Sequence, residues 1–293
     1  MDVIPWKEEG YRMCITVFIW QAHPLYPFLL LFNRDEFHNR PTKPVSWWED
    51  NEILGGRDEV AGGTWLACTR QGRIAFLTNV REVSSLPEAK SRGELVLGFL
   101  QSKKRPMEFA NEVLKEVDQY NGFNLVLCDL CSKTMVYVCN RPKGEPLVQV
   151  VSPGIHVLSN ARLDTPWQKS QRLGQNFKEL MDKHSKDEIP VKLIAEELMT
   201  DTTKADKNSL PGIHSFEWEY ITSSIFIDQF VTSMGSYGTV STSALSVKPS
   251  GELSFYEKYL SKEEWKEYIV NFLIDKMEVE REDDSFGVSH FPS

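Results

Sequence analysis

The sequence has no long hydrophobic run, no excess of positive charge and no paired set of cysteines or histidines, and each absence removes a class of function. No stretch approaches the about 20 consecutive apolar residues that a membrane-crossing helix needs. The longest apolar run, PLYPFLLLF, is short and interrupted by prolines. A formal net charge of -9 leaves no basic face for general nucleic-acid binding. The six histidines are dispersed without H-x-x-x-H spacing and no C-x-x-C-H occurs, so neither a histidine metal centre nor covalent haem attachment is expected. His23 and His38 are axial haem ligands only in principle; a histidine in a loop is usually solvated. No internal repeat or low-complexity linker divides the chain.

Five cysteines, Cys14, Cys68, Cys128, Cys131 and Cys139, are scattered and odd in number, which favours reduced thiols. CDLC (128 to 131) has C-x-x-C spacing but no second pair, and reads as a buried strand end and turn. The first twelve residues carry Lys7, Glu8, Glu9 and Arg12 with no apolar centre, so neither a secretory nor a transit peptide is expected. GRDEVAGGTW has a glycine pair suited to a tight turn. It is not a phosphate loop, because the required Lys and Ser/Thr are missing.

Hydrophobic residues make up 41 % and charged residues 26 % of the chain, enough for a packed core. CITVFIW and FLLLF read as strands. TWLACT and RIAFLTN flank RQG as a hairpin, and FNLVLCD with TMVYVCN forms another. GIHVLSN is a further strand, and STSALSV with ELSFYEKY a further hairpin. The period changes in SRGELVLGFL, where Ser91 and Glu94 suggest a capping box, and in MEFANEVLKEVDQY after Pro106. Thr165, Pro166 and Gln168 open a third helix with Trp167, Ser170, Leu173, Phe177 and Met181 on one face. VKLIAEELM is a short helix and TDTTKADKNSLPGIHS an exposed loop. SKEEWKEYIVNFL is expected as a capped C-terminal helix with Trp265, Ile269, Phe272 and Leu273 inward.

The fold class expected is α+β, with two antiparallel sheets packed together and helices outside, a four-layer αββα sandwich. Residues 13–277 are expected as a single domain, with a short N-terminal extension (1–12) and an acidic, flexible tail (278–293).

Four polar sites fall at strand ends: Cys14, the NRDE run (Asn33 to Glu36), Asn79 and Asn160. Together they make a chemical set. A thiol attacks a carbonyl as thiolate, and a free α-amine of pKa about 7.7–8.0 is a base near neutral pH. Were Cys14 the first residue, base and nucleophile would be one residue. Arg34 would lower the thiol pKa or hold a substrate, and Asp35 would orient the amine. Asn79 and Asn160 would donate to an oxyanion. Read singly, each has a plainer role. A cysteine on an apolar strand is usually core, NRDE suits a surface ion pair worth about 0–1 kcal/mol, and strand-end asparagines close turns.

The stretches MCITVFIW, LLLFNRDEFHNRPTKPVSWW, GGTWLACTRQGRIAFLTNVRE, SRGELVLGFL, YNGFNLVLCDL, VLSNARLDTPWQKSQRL and YGTVSTSALSV together resemble the NRDE-domain family, also called the transport and Golgi organisation protein 2 family. The match runs in order from Met13 to about Tyr256. The family is similar in fold to N-terminal nucleophile hydrolases, and its analogy lies with the cysteine branch that cleaves bile-salt and penicillin amides. The resemblance implies Cys14, Arg34, Asp35, Asn79 and Asn160 as catalytic positions, with Asn33, Glu36 and Trp65 on the ligand side. Two departures stand out. Family members begin at the Met-Cys, whereas twelve residues precede it here, and YGTV carries Val240 where the family has arginine.

The resemblance implies a cytosolic factor, associated with Golgi or mitochondria, that supports Golgi organisation and protein secretion by binding or moving a hydrophobic ligand. That ligand would be haem, as cargo, or an acyl-CoA or other lipid. No cofactor is required, membrane contact is transient and nucleic acid is not a partner. The alternative is a cysteine N-terminal nucleophile amidohydrolase or thioesterase using Cys14.

Overall fold

The computed structural model describes residues 13–188 and 190–275; the expected N-terminal extension and acidic tail lie outside the described residues. The first strand, β1 (Met13–Trp20), is buried along its whole length, which is why its sequence is a continuous apolar run instead of an alternating one. The hydroxyl of Thr16, its one polar side chain, donates to the Leu31 carbonyl at 2.7 Å. It pairs antiparallel with β2 (Phe28–Phe37).

A second sheet follows: β3 (Thr42–Trp47), β4 (Ile53–Asp58), β5 (Leu66–Thr69) and β6 (Arg73–Asn79), then α1 (Gly93–Gln101) and α2 (Pro106–Val113), then β7 (Phe123–Asp129), β8 (Thr134–Cys139) and β9 (Leu147–Val150). The chain returns to the first sheet with β10 (Gly154–Leu158), crosses α3 (Gln168–Lys183), α4 (Val191–Leu198) and α5 (Phe216–Ile221), and ends in β11 (Phe230–Thr232), β12 (Gly235–Val247), β13 (Glu252–Ser261) and β14 (Glu264–Leu273). The strand order is β10-β1-β2-β12-β13-β14, with β11 on β12, in one sheet and β3-β4-β5-β6-β7-β8-β9 in the other.

Three apolar layers hold these together. Phe18, Phe32, Phe76, Tyr137 and Leu245 fill the space between the sheets. Leu173, Phe177 and Ile194 of α3 and α4 cover the outer face of the first sheet. Val96, Phe99 and Ala110 of α1 and α2 cover the outer face of the second. Each such side chain contributes about 1.5–3 kcal/mol through burial. The architecture is therefore the expected α+β sandwich of two antiparallel sheets between helix layers.

Several local expectations are corrected. The segment expected as a C-terminal helix is the strand β14. Ser261 and Glu264 close a two-residue turn in which Lys262 (φ 50°) and Glu263 (φ 70°) both have positive φ; this twist suits a hairpin. Trp265, Ile269 and Leu273 recur at helical spacing, yet all are odd-numbered and so also share one face of a strand. They face outward, while Phe272 packs inward. The Ser91 capping box does not form. Helix α1 starts after Arg92 without a side-chain cap, set by the close approach of Gly93 to Gly63. Helix α2 ends at Val113, followed by a turn and a short 3-10 segment at Val117–Gln119. Trp167, not Thr165, precedes α3; the Thr165 hydroxyl donates to the Arg162 carbonyl instead.

Candidate active-site cleft

Strand geometry decides which candidate residues meet. Cys14 pairs with Arg34 and Met13 with Asp35 across β1 and β2. Successive side chains on a strand point to opposite faces, so Cys14, Arg34 and Glu36 face the space between the sheets, and Asn33 and Asp35 face the helix layer. Where the sheets part, Cys14, Arg34 and Glu36 meet Trp65, Leu77 and Asn79 of the second sheet around a cleft of about 280 Å³. Arg34 lies over the Trp65 ring at 4.1 Å, donates to Thr42 at 3.2 Å and approaches Glu36 at 3.7 Å. Arg40 lies between Asp58 (2.7 Å) and Glu36 (3.7 Å). Lys90 and Arg92, from the loop before α1, complete the mouth.

The other candidates stand behind the cleft. Asn160 is buried, and its Nδ2 donates to the Asn79 carbonyl at 2.9 Å. It therefore holds Asn79 in place, and its own amide is turned away from the cleft. Asn33 lies on the opposite face, donating to the carbonyls of Met199 (2.8 Å) and Ile225 (2.9 Å) and accepting from Thr242 (2.7 Å); it is not in the cleft wall. Asp35 borders the cleft, and its carboxylate accepts from Thr239 at 2.7 Å.

Beneath Met13 that helix side carries a buried charged cluster that sequence reasoning missed. Arg81 reaches Glu219 (3.5 Å), Thr222 (3.3 Å) and the Met13 sulfur (3.3 Å). Lys169 donates to the Thr222 carbonyl at 3.1 Å. Burial pushes the Asp35 carboxyl up and the Lys169 amine down, each opposed by the charge of the other. Burial also lowers Arg81 to about 10, which Glu219 offsets. Burial would raise Glu219, but the N–H groups of His214, Gly212 and Ile213 hold it low. The available signal was Lys169 itself, a charge four residues before Leu173 on the inward stripe of α3.

Burial, then the nearby Asp35 carboxylate, push the Cys14 thiol up to about 12; the Asp35 N–H and Arg34 only partly oppose this. The Met13 N–H ahead of it donates to the Tyr237 hydroxyl at 2.8 Å, and that hydroxyl donates to the Asp35 carbonyl at 3.3 Å. Among the described residues no histidine lines the cleft, no group of three His, Cys, Asp or Glu side chains is placed to hold a metal, and no helix is long and apolar enough to cross a membrane. His38 instead lines a second cavity of about 230 Å³ that shares Arg34, Arg40 and Trp65 with the first. Val240 sits there, at a bulge between Thr239 and Ser241, beside Glu257.

Known proteins resemble this chain in structure and in sequence. Among solved structures, a mutant of the conjugated bile acid hydrolase from Clostridium perfringens superposes with a TM-score of 0.48 at 9 % identity, covering 88 % of this chain and 96 % of that one. The Caenorhabditis elegans ortholog of N-acylethanolamine-hydrolyzing acid amidase gives 0.39 at 11 % identity, covering 79 % and 92 %. Sequence relatives lie nearer. The mouse Transport and Golgi organization 2 homolog is 34 % identical over 262 residues, 84 % of this chain and 92 % of the relative. The human homolog is 34 % identical over 261 residues with the same coverage. The profile of the family described as Transport and Golgi organisation 2 matches residues 13–262, from the strand that carries Cys14 to the turn before β14. The chain belongs to the Transport and Golgi organisation 2 family.

Proposed function

We propose that the chain serves transport and Golgi organisation, the role its relatives are named for, by binding an acyl thioester of the acyl-CoA class in the Cys14 cleft without cleaving it. The observation that carries this reading is the state of Cys14. It is peptide-linked to Met13, whose N–H is engaged by Tyr237, and its thiol is pushed up to about 12. At neutral pH the thiol therefore stays protonated, whereas the thiolate is the nucleophile. The cleft wall combines Arg34, Arg40, Arg92 and Lys90, the last paired with Glu116 at 2.7 Å, and the carboxylates Glu36 and Asp58 with apolar Trp65, Leu77 and Pro87; four cations against two carboxylates on an apolar wall suit a phosphate-bearing amphiphile. The lack of histidine on that wall, among the described residues, ranks a thioester ahead of haem as the ligand. Titration with palmitoyl-CoA is expected to give saturable binding that Arg34→Ala weakens about tenfold or more, with no thioester loss. No binding at tens of micromolar ligand, or binding indifferent to Arg34→Ala, refutes the reading.

One observation favours a hydrolase as the second reading. The Asp35 carboxyl is buried under Met13, and its Oδ2 makes no hydrogen bond among the described residues. A chain beginning at Cys14 would place a free amine near Tyr237 and Asp35, supplying the base that Met13 now blocks. If such a form hydrolyses palmitoyl-CoA and its Cys14→Ala variant does not, the cysteine N-terminal nucleophile reading replaces simple binding. An inert form leaves binding as the function.

A further inference from the structure

We propose that the edge of β14 that no other described strand pairs is a docking surface for a second copy of this chain, joined antiparallel about a two-fold axis at Ile269. This does not rest on the reading of the Cys14 cleft.

Among the described residues four strands end the two main sheets and the three-residue β11 flanks β12; of the four, three are poor templates for pairing. β3 contains Pro44 and a register shift between Lys43 and Ser46. β9 has four residues and β10 five. β14 has ten residues in unbroken register with β13, with no proline or bulge. It also carries Trp265 (40 % exposed), Tyr268 (52 %), Ile269 (49 %) and Leu273 (65 %). Its charges, Glu264, Lys266 and Glu267, lie toward one end, and a ten-residue edge with exposed apolar side chains is a template for another strand.

The backbone and side chains together select the partner and the register. The N–H of Ile274 donates to the Gly251 carbonyl at 2.9 Å, so even-numbered residues of β14 bond toward β13. By alternation, Trp265, Glu267, Ile269, Asn271 and Leu273 turn their N–H and C=O groups to the open edge. A second β14 placed with Ile269 opposite the partner's Ile269 brings these groups into hydrogen-bonded pairs. Side chains then match by chemistry. Trp265 meets the partner's Leu273, Tyr268 meets the partner's Val270, Lys266 meets the partner's Phe272, and Glu267, whose carboxylate is held by Lys192 of its own chain at 2.6 and 2.7 Å, meets the partner's Asn271. No like charges face each other. Moving the axis to Glu267 sets two carboxylates opposite, and moving it to Tyr268 or Val270 sets Glu267 against Ile269 or Leu273. Of these registers, the one centred on Ile269 is the one in which the strand is complementary to itself.

The test is the mass of the full chain by light scattering across concentration, with two variants. A dimer is expected at tens of micromolar, and Ile269→Lys, which sets two ammonium groups at the axis, is expected to return it to monomer with unchanged circular dichroism. In a Cys131→Ser background, Ile269→Cys is expected to form an interchain disulfide on oxidation. Cα atoms in a hydrogen-bonded antiparallel pair lie about 5.5 Å apart, within disulfide range. Tyr268→Cys, which does not face itself, is expected to remain uncrosslinked. A monomer at all concentrations overturns the proposal, as does a dimer indifferent to Ile269→Lys or equal crosslinking at both positions. A monomer whose odd-numbered β14 amides resist hydrogen exchange also overturns it, showing that the edge is covered within one chain.

Discussion

Glu257 shows how one buried side chain sets a pH dependence. Its carboxyl is 2 % exposed on β13 and accepts the Val45 N–H at 2.6 Å. Burial raises it from an ordinary value of 4.5 to about 7, and the Val45 N–H, Ser241 and Arg34 only partly oppose this. A folded-state pKa above the unfolded one means the folded chain holds the proton longer. That contribution is full below about pH 4.5 and is lost as pH rises through about 7. Glu257→Gln keeps an acceptor for Val45 and removes the titration. Urea unfolding is expected to find the variant up to about 3 kcal/mol more stable than the parent at pH 8, with little difference at pH 4.5. An equal gap at both pH values would assign the effect to packing.

Asn33 tests the division of NRDE between two faces at the same scale. Two of its hydrogen bonds tie β2 to Met199 and Ile225 on the helix side and a third joins it to Thr242 of β12, so Asn33→Leu is expected to cost about 2–3 kcal/mol of stability while leaving palmitoyl-CoA affinity within about twofold of the parent. A large affinity loss in the folded variant would return Asn33 to the ligand site. That four consecutive strand residues cannot face one cleft was legible from the period of two. What was not legible is which residues the helices would meet, because Met199 and Ile225 come from distant segments.

At the scale of elements, β14 and its turn show where local signals mislead. A two-residue turn with positive φ at both positions is usually written Asn-Gly; here it is Lys262-Glu263, so the sequence carries no turn signal. The capped appearance of SKEEW then favours a helix. L-residues other than Asn and Gly resist this conformation by roughly 1–2 kcal/mol each. Replacing Lys262-Glu263 by Asn-Gly is therefore expected to raise stability by about 1 kcal/mol, seen as a higher urea midpoint with unchanged slope. A lower midpoint would mean that Lys262 and Glu263 hold contacts worth more than the backbone strain. The hairpins of β5 with β6 and β7 with β8, by contrast, were readable. Gly72 supplies positive φ where RQG needs it, and the flanking runs are buried on both faces.

At the scale of the whole molecule, the cleft exists because two sheets are held at a fixed spacing and part at one end. The layered class followed from apolar strand runs framed by amphipathic helices. Two packed sheets were expected as well, but which strands share a sheet was not legible, because β2 pairs with β12, strands from opposite ends of the described chain, and local patterning does not encode such a pairing. Phe18 of β1 and Phe76 of β6 meet edge to face at 5.4 Å across the space between the sheets, so they fix that spacing. Phe177 of α3 is equally buried but lies in the outer layer. Phe18→Ala and Phe177→Ala are each expected to cost about 3–5 kcal/mol, so stability alone cannot distinguish them. Ligand affinity does. Removing Phe18 lets the sheets approach where Cys14, Arg34 and Asn79 converge, and palmitoyl-CoA binding is expected to fall about tenfold or more below the unfolding midpoint. Removing Phe177 leaves the inter-sheet spacing intact, and binding is expected to stay within about twofold. Equal losses of affinity would show that the cleft depends on global stability, and that the two sheets do not position it independently of the helices.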